Sequence, residues 1–394
     1  MYKGAAKMND MLNYLKGQTE TIKEDLLTLV KAESPSDKKE FVDLCGEKIK
    51  LIFFKRLGKE WKLTVHERKE SGNHLLFEEK EPSGPRVLLL SHFDTVWDIG
   101  ELPIKEQDQQ IYGPGVFDMK AGLLSSIWAI HALIETHRSL PISPVFLFTA
   151  DEEVGSSSSK ELIEETAKTC VASLIFEPPI AHTNSLKTAR KGGGEYKIEV
   201  FGKKAHAGND HQNGVSAIHE LAEQIIQLEN LTNYEKGTTV TVGKMKGGSN
   251  TNVIPSYAEA YIDFRVATMD EAEKVTATIE SIKPFNPLTK IKVTGGLSRA
   301  PLERNEKNQE LYRLAIEAGK KIGLKVTEGS AGGISDGNFT SAIGIPTLDG
   351  LGIPGDGAHA LHEHIDFDLF PERAALISQL CVEIGTKVNQ YSYK

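Results

Sequence analysis

The sequence predicts an α/β fold, a largely parallel sheet flanked by helices, with an α+β module inserted into it. Three observations carry that expectation. Short continuous apolar runs, VLLL (87–90), VFLFT (145–149) and ASLIF (172–176), read as strands buried on both faces, as in a parallel sheet covered by helices. Between the first two lies AGLLSSIWAIHALIETH, which reads as an amphipathic helix, so the order is β–α–β. Near residue 186 the texture changes to alternating runs, which suit half-exposed antiparallel strands.

The remaining elements follow in order. Met11, Leu15, Ile22, Leu26 and Val30 fall at helical spacing and predict one N-terminal helix. A second helix follows SPSDKKE, where Ser36 or Asp37 can cap a segment carrying Phe41, Val42, Leu44 and Ile49. After the third buried strand, ARKGGGEY reads as a glycine-rich joint and YKIEVFG (196–202) as an alternating strand. A helix over 215–231, strands in TTVTVGKMKG and AEAYIDFRV, a helix around 271–282 and IKVTGGL complete the module. Helical texture returns over 311–322 and 372–388. The expected domains are 1–187 with 300–394, discontinuous, and 188–299 inserted between them.

Length supports two domains, because 394 residues exceed the roughly 250–300 at which single cores stop growing. The formal charge of −9 argues against a nucleic-acid partner, which calls for a basic face. Cys45, Cys170 and Cys381 are widely spaced, so neither a disulfide framework nor a cysteine zinc site is expected. The N-terminal residues contain no secretory apolar core, and no run approaches the ~18 apolar residues of a membrane span. A cytoplasmic protein without a membrane partner is the expectation.

Metal-ligand residues end each buried run. VLLL leads into His92 and Asp94, VFLFT into Asp151, Glu152 and Glu153, and ASLIF into Glu177. Open α/β sheets bind ligands beyond the carboxyl ends of their strands, where these residues fall. Asp118 sits in GPGVFDMKAG, just before the expected helix. Taken singly, each has an ordinary explanation as a surface acid, a satisfied histidine or a helix cap. Their recurrence at strand ends points instead to a metal, since converging carboxylates repel one another without a cation.

SHFDT, GPGVFDMKAG, TADEEVGS, IFEPP and GDGAHALHE, in this order, resemble the motifs of the M20 metallopeptidases, on their glutamate carboxypeptidase and acetylornithine deacetylase side. The domain pattern is similar over essentially the whole chain. The resemblance implies a zinc catalytic domain, an inserted lid and dimerisation domain, and two Zn2+ per subunit. His92 and Glu177 would bind one ion, Glu153 and His359 the other, and Asp118 would bridge them. His362 and His364 lack the family's spacing to Glu363, which selects His359. Asp94 would hold the second ring nitrogen of His92. Glu152 and Glu153, read as neighbours in an extended loop, would diverge, leaving Glu152 as general base for an activated water. His206 in GKKAHAG would reach across a homodimer to the developing oxyanion. Asn252 and Arg265 would hold the substrate carbonyl and terminal carboxylate, and residues 332–336 would form a glycine-rich substrate loop.

Family members with Glu at the position of Glu177 tend to be carboxypeptidases and N-acyl amino acid deacylases. The expected function is therefore hydrolysis of an amide to release a C-terminal amino acid from a small peptide. The alternative is deacylation of an N-acyl amino acid, as in acetylornithine deacetylase or succinyl-diaminopimelate desuccinylase. A catalytically silent binding protein is the reading from another class. Lys187, Arg190 and Lys191 either read an acidic side chain or are solvated linker charges, the commoner case.

Overall fold

In the strand Arg86–His92, Val87 and Leu89 enter one buried cluster while Leu88 and Leu90 enter another. Phe146 and Phe148 of Ser143–Thr149 join the first, and Val145 and Leu147 the second. Successive side chains on a strand point to opposite faces, so a strand covered on both sides must be apolar throughout. That requirement is the physical origin of the continuous runs. The larger layer is built by the helices Thr19–Lys31, Lys39–Leu57, Ala121–His137, Glu306–Ile322 and Phe370–Tyr391. The smaller uses Ile163 and Ala167 of Lys160–Lys168 and Phe339 of Gly337–Ala342.

This computed structural model describes residues 4–82, 84–137 and 140–391. The sheet has six strands in the order Trp61–His66, His74–Glu79, Ser143–Thr149, Arg86–His92, Ala172–Ile175, Thr347–Leu348. The last four are parallel, and the first two form an antiparallel hairpin on the edge. Phe53, from the helix Lys39–Leu57, stacks on Phe77 at 3.8 Å between centroids and meets Trp61 and Phe146 edge-on. These contacts fasten the hairpin to the helical layer, and truncating such a buried ring costs about 3–5 kcal/mol.

Several local expectations change. The N-terminal helical segment is two helices, Gly4–Gly17 and Thr19–Lys31. Ala121–His137 is not amphipathic: Ala121 through Ile130, Ala132 and Leu133 are all buried. The sheet covers one side, while Phe370–Tyr391 closes another, where the Ser378 hydroxyl donates to the Ala129 carbonyl at 2.8 Å. Neither Ser36 nor Asp37 caps the next helix, which begins at Lys39. Ser36 donates its hydroxyl to the Asp94 carboxylate instead.

By internal contacts the chain forms two units. One comprises the chain up to Thr188, Arg304–Ser330 and the chain from Ser335; the other comprises Ala189–Glu303 and Ala331–Ile334. The short segment Ala331–Ile334 thus groups with the second unit, although it lies within the 300–394 stretch assigned to the first. The second unit is a four-stranded antiparallel sheet, ordered Thr239–Gly247, Tyr257–Val266, Gly192–Phe201, Lys290–Arg299. Ala217–Glu229 and Met269–Glu280 pack on it, capped by the side chains of Ser216 and Thr268. The expected glycine joint is the start of its central strand. A Cβ at Gly194 would lie 2.1 Å from the Gly296 carbonyl, so glycine there serves close approach of strands. Among the described residues, no helix is long and apolar enough to cross a membrane.

Candidate metal centre

Parallel register brings the strand ends together. His92 ends its strand level with Thr149, and Leu90 is level with Ile175, so the segments carrying His92, Glu153 and Glu177 leave the sheet side by side. Asp118 is delivered by the turn preceding the buried helix, where Gly115 adopts a left-handed φ of 70°. A Cβ there would meet Thr95 at 2.4 Å, which excludes larger residues. His359 also has a left-handed backbone, φ 60°, uncommon for a residue with a Cβ and found at sites that fix a side chain.

The polar atoms converge. His92 Nε2 lies 3.2 Å from Asp118 Oδ1 and 3.6 Å from Glu177 Oε1. His359 Nε2 lies 3.5 Å from Asp118 Oδ2 and 3.2 Å from Glu153 Oε2. Asp118 therefore presents one oxygen to each histidine. One ligand atom each from His92, Asp118 and Glu153 fits within 4.8 Å, close enough to share an ion.

Electrostatics favour positive charge here. Burial acts to raise the Asp118 carboxyl, but His359 and His92 outweigh it and hold the group below the usual carboxylate range. Hydrogen bonds to Asp118 and Glu153 push His359 up to about 10. Burial works against a charged His92, yet Asp118 and Asp94 hold it well above its ordinary value. Burial, with the Asp118 charge beside it, raises Glu153. A field strong enough to hold protons on two histidines equally favours cations in their place. The donor set of nitrogen and carboxylate oxygen, without thiolate, fits divalent metal.

The surrounding groups differ from the sequence reading in informative ways. His92 Nδ1 donates to the main-chain carbonyl of Asp94 at 3.0 Å, while the Asp94 carboxylate stands 3.5 Å away. That bond leaves Nε2 facing Asp118, the orientation a metal-ligating histidine needs. The Asp94 carboxylate instead accepts the N–H groups of Glu152 and Glu153, at 3.2 and 3.1 Å, and the Ser36 hydroxyl at 2.8 Å. Glu152 and Glu153 lie in a single 3-10 turn, Glu152–Val154, rather than an extended loop. Their side chains diverge because successive residues on such a turn are about 120° apart.

Two supporting acids escaped the sequence reading. Glu363, noted only as a spacing marker, is fully buried and accepts N–H groups from Gly115, Phe117, Asp118 and the Trp97 indole. Asp336 accepts the hydroxyls of Thr149 and Ser156, so the end of the expected substrate loop anchors the Glu153 turn. No local pattern marks either role, since their partners are main-chain groups or hydroxyls far away in sequence. His362 is exposed, and His364 forms part of a short strand.

The second unit holds the other three expected site residues. His206 is exposed, and its Nδ1 accepts the N–H groups of Gly208 and Asn209, both at 3.1 Å, so the ring proton resides on Nε2. The Asn252 carbonyl accepts the N–H of Ala207, tying it to the same loop. Arg265 forks onto Asp263, at 3.0 Å through Nε and 2.7 Å through Nη2. Lys187 and Arg190 are buried, which overturns their reading as solvated linker charges. They belong to a strand, Leu186–Arg190.

Two histidines around one shared carboxylate, at the carboxyl ends of the central parallel strands, define a candidate dinuclear metal centre. Residues 88–383 match the model of the peptidase family M20/M25/M40, and the chain belongs to that family; it is a hydrolytic enzyme. Carboxypeptidase G2 from Pseudomonas sp. is 29% identical over 324 residues, covering 80% of this chain and 77% of the relative. Succinyl-diaminopimelate desuccinylase from Acinetobacter baumannii is 27% identical over 317 residues, covering 75% and 82%. Among solved structures, the aminopeptidase PepT from Bacillus cereus shares the fold with a TM-score of 0.75 at 20% identity, over 93% of this chain and 98% of that one.

Proposed function

We propose that the protein is a two-zinc exopeptidase of the glutamate carboxypeptidase type, releasing a C-terminal amino acid from a small peptide. The observation that carries this reading is the placement of Asp118, with Oδ1 toward His92 and Oδ2 toward His359. Glu177 completes the first group and Glu153 the second. His92, Asp118 and Glu177 would hold one ion; His359, Asp118 and Glu153 the other. When bound, the ions supply a water acidified toward neutral pH and a Lewis acid for the scissile carbonyl.

The chain's own groups do the rest. Glu152 takes the proton of the attacking water and passes it to the leaving amine. Asp94 aims both acids, because its carboxylate accepts the N–H of the base and of the ligand beside it. His206, with Nδ1 occupied, keeps Nε2–H as a donor for the oxyanion, delivered across a homodimer. Asn252 holds the substrate carbonyl. Arg265 holds the terminal carboxylate, and must leave Asp263 to do so. In this reading 1–187 with 300–394 is the catalytic domain and 188–299 the lid and dimerisation domain, working in the cytoplasm.

The carboxypeptidase G2 likeness supports the exopeptidase reading, and Glu177 fits it and the deacylase reading alike. The desuccinylase relative favours a second one, deacylation of an N-acyl amino acid by the same groups. A silent binding protein is disfavoured by the joint presence of five candidate ligands and Glu152. The test is amino acid release from peptides and N-acyl amino acids differing only in the C-terminal residue or acyl group. Release from peptides is expected; release from acetyl or succinyl donors alone would transfer the assignment to the deacylase.

A further inference from the structure

Arg373 sits in the first turn of the helix Phe370–Tyr391 and is only 7% exposed. A cation there opposes the helix dipole, whose N-terminal end is already positive. One N–H donation is made, from Nη2 to the main-chain carbonyl of Asn184 at 3.0 Å. No carboxylate of the described residues pairs with the guanidinium. Burial alone pushes the group down to about 10, with no neighbouring charge offsetting it. Among the described residues no Arg373 nitrogen is both buried and unpartnered, so the N–H groups not given to Asn184 reach open space, where a guanidinium without a counter-charge can take an anionic ligand.

The space beside it suits a ligand. Arg373 lines a cavity of about 150 Å³ with Thr183, Asn184 and Lys325. Lys325, an exposed residue on its border, adds a second cation, Thr183 and Asn184 bring neutral polar groups, and the rest of the wall is apolar apart from Glu372. Glu372 also borders the cavity but forms no ion pair with Arg373. Thr183 lies between two non-glycine residues with left-handed backbones, His182 at φ 62° and Asn184 at φ 53°. The turn is closed by Asn184 N–H donating to the Ile180 carbonyl at 2.9 Å. The volume is well below the roughly 300 Å³ at which drug-sized sites begin, so it admits a small ion and not a peptide. None of the five candidate metal ligands lines it.

We propose that this cavity is a binding site for a small oxyanion, a phosphate-like or carboxylate group, held by the Arg373 fork and by Lys325. A planar guanidinium matches such oxygens in pairs. The site is separate from the candidate metal centre and does not depend on the hydrolytic reading.

The experiment compares melting of the full-length protein and of Arg373→Met in Tris chloride, in phosphate and in acetate, with phosphate affinity measured by titration calorimetry. Phosphate or acetate should raise the melting temperature of the parent and not of the variant, and the arm that does so identifies the anion. The variant should bind that anion at least about tenfold more weakly, the loss expected for one charge-assisted fork. Equal loss of stability in all three buffers would mean that Arg373 serves only Asn184, and the proposal fails. An equal anion effect on both proteins would locate binding at the metal cluster, which also overturns it. Should Arg373→Met not fold, a crystal of the parent soaked in selenate decides the matter. An anomalous peak against Arg373 is expected, and its absence refutes the site.

Discussion

The Glu363 carboxylate accepts the main-chain N–H of Asp118 at 3.1 Å from a fully buried position. Phe117 donates to the same oxygen at 2.9 Å, and Gly115 to the other at 3.2 Å. Burial pushes the Glu363 carboxyl up to about 7, while these donors and Trp97 favour its ionised form. The turn that places the shared carboxylate is thus held by an acid that arrives from the far end of the chain. An amide at 363 would set its NH2 against N–H donors. Glu363→Gln should weaken metal binding by about 10–100-fold, the usual effect of removing a group that orients a ligand. Chelator competition measures it, with circular dichroism as the check on folding; unchanged affinity in a folded variant would contradict the role.

Glu152→Gln should lower kcat by about 10²–10⁴, the range for loss of a general base, and leave metal content and melting temperature as they were. Metal analysis alongside steady-state kinetics separates this from loss of a ligand, which Glu153→Gln should produce.

Arg265 gives a prediction with a sign. If its fork serves the substrate carboxylate, Asp263 competes for it. Asp263→Asn should lower KM for substrates with a free terminal carboxylate, and Arg265→Met should raise it about tenfold, the scale of a charged hydrogen bond. Neither should matter for substrates whose carboxylate is amidated. A KM indifferent to both variants would remove Arg265 from the substrate site.

His74 supplies a pH dependence. Its Nδ1 accepts the N–H of Ala150 at 3.2 Å, and Nε2 lies 2.9 Å from the Ser158 hydroxyl, so the ring is neutral with its proton on Nε2. Burial pushes it down to about 4. Between pH 6.5 and about 4 the unfolded chain binds the proton that the folded chain refuses, so stability falls as pH falls through that window. The loss from this one group is at most about 3 kcal/mol. His74→Asn, whose amide oxygen can replace Nδ1, should flatten the slope there. Denaturant melts of both proteins across the window measure the difference, and parallel slopes would exclude His74 as the source.

The sequence makes the central strands legible because burial on both faces forces every residue in them to be apolar. Three of the five candidate ligands are marked by their place at or just beyond a strand end, His92, Glu153 and Glu177, whereas Asp118 and His359 lie in turns. The edge hairpin Trp61–His66 and His74–Glu79 left no comparable signal: its strands mix Lys, Thr, His and Glu with apolar residues, and its stability rests on Phe53 from a distant helix. Periodicity reports one apolar face for Ala121–His137, whereas this helix is covered by layers that only the three-dimensional fold assembles. Ser36 carries a cap signature, yet its hydroxyl is used by Asp94, which local reasoning does not see. The supporting acids Glu363 and Asp336 act on main-chain groups and hydroxyls, whose identity no side-chain motif encodes.

The most direct test of the account is a zinc titration of metal-stripped protein, following peptide hydrolysis and bound metal together. Hydrolysis should be absent without metal and should rise to its maximum as two equivalents are taken up, with Asp118→Asn unable to hold the pair. Hydrolysis that persists in fully stripped protein, or that stays absent with two zinc ions bound across the whole substrate panel, would contradict the proposed centre.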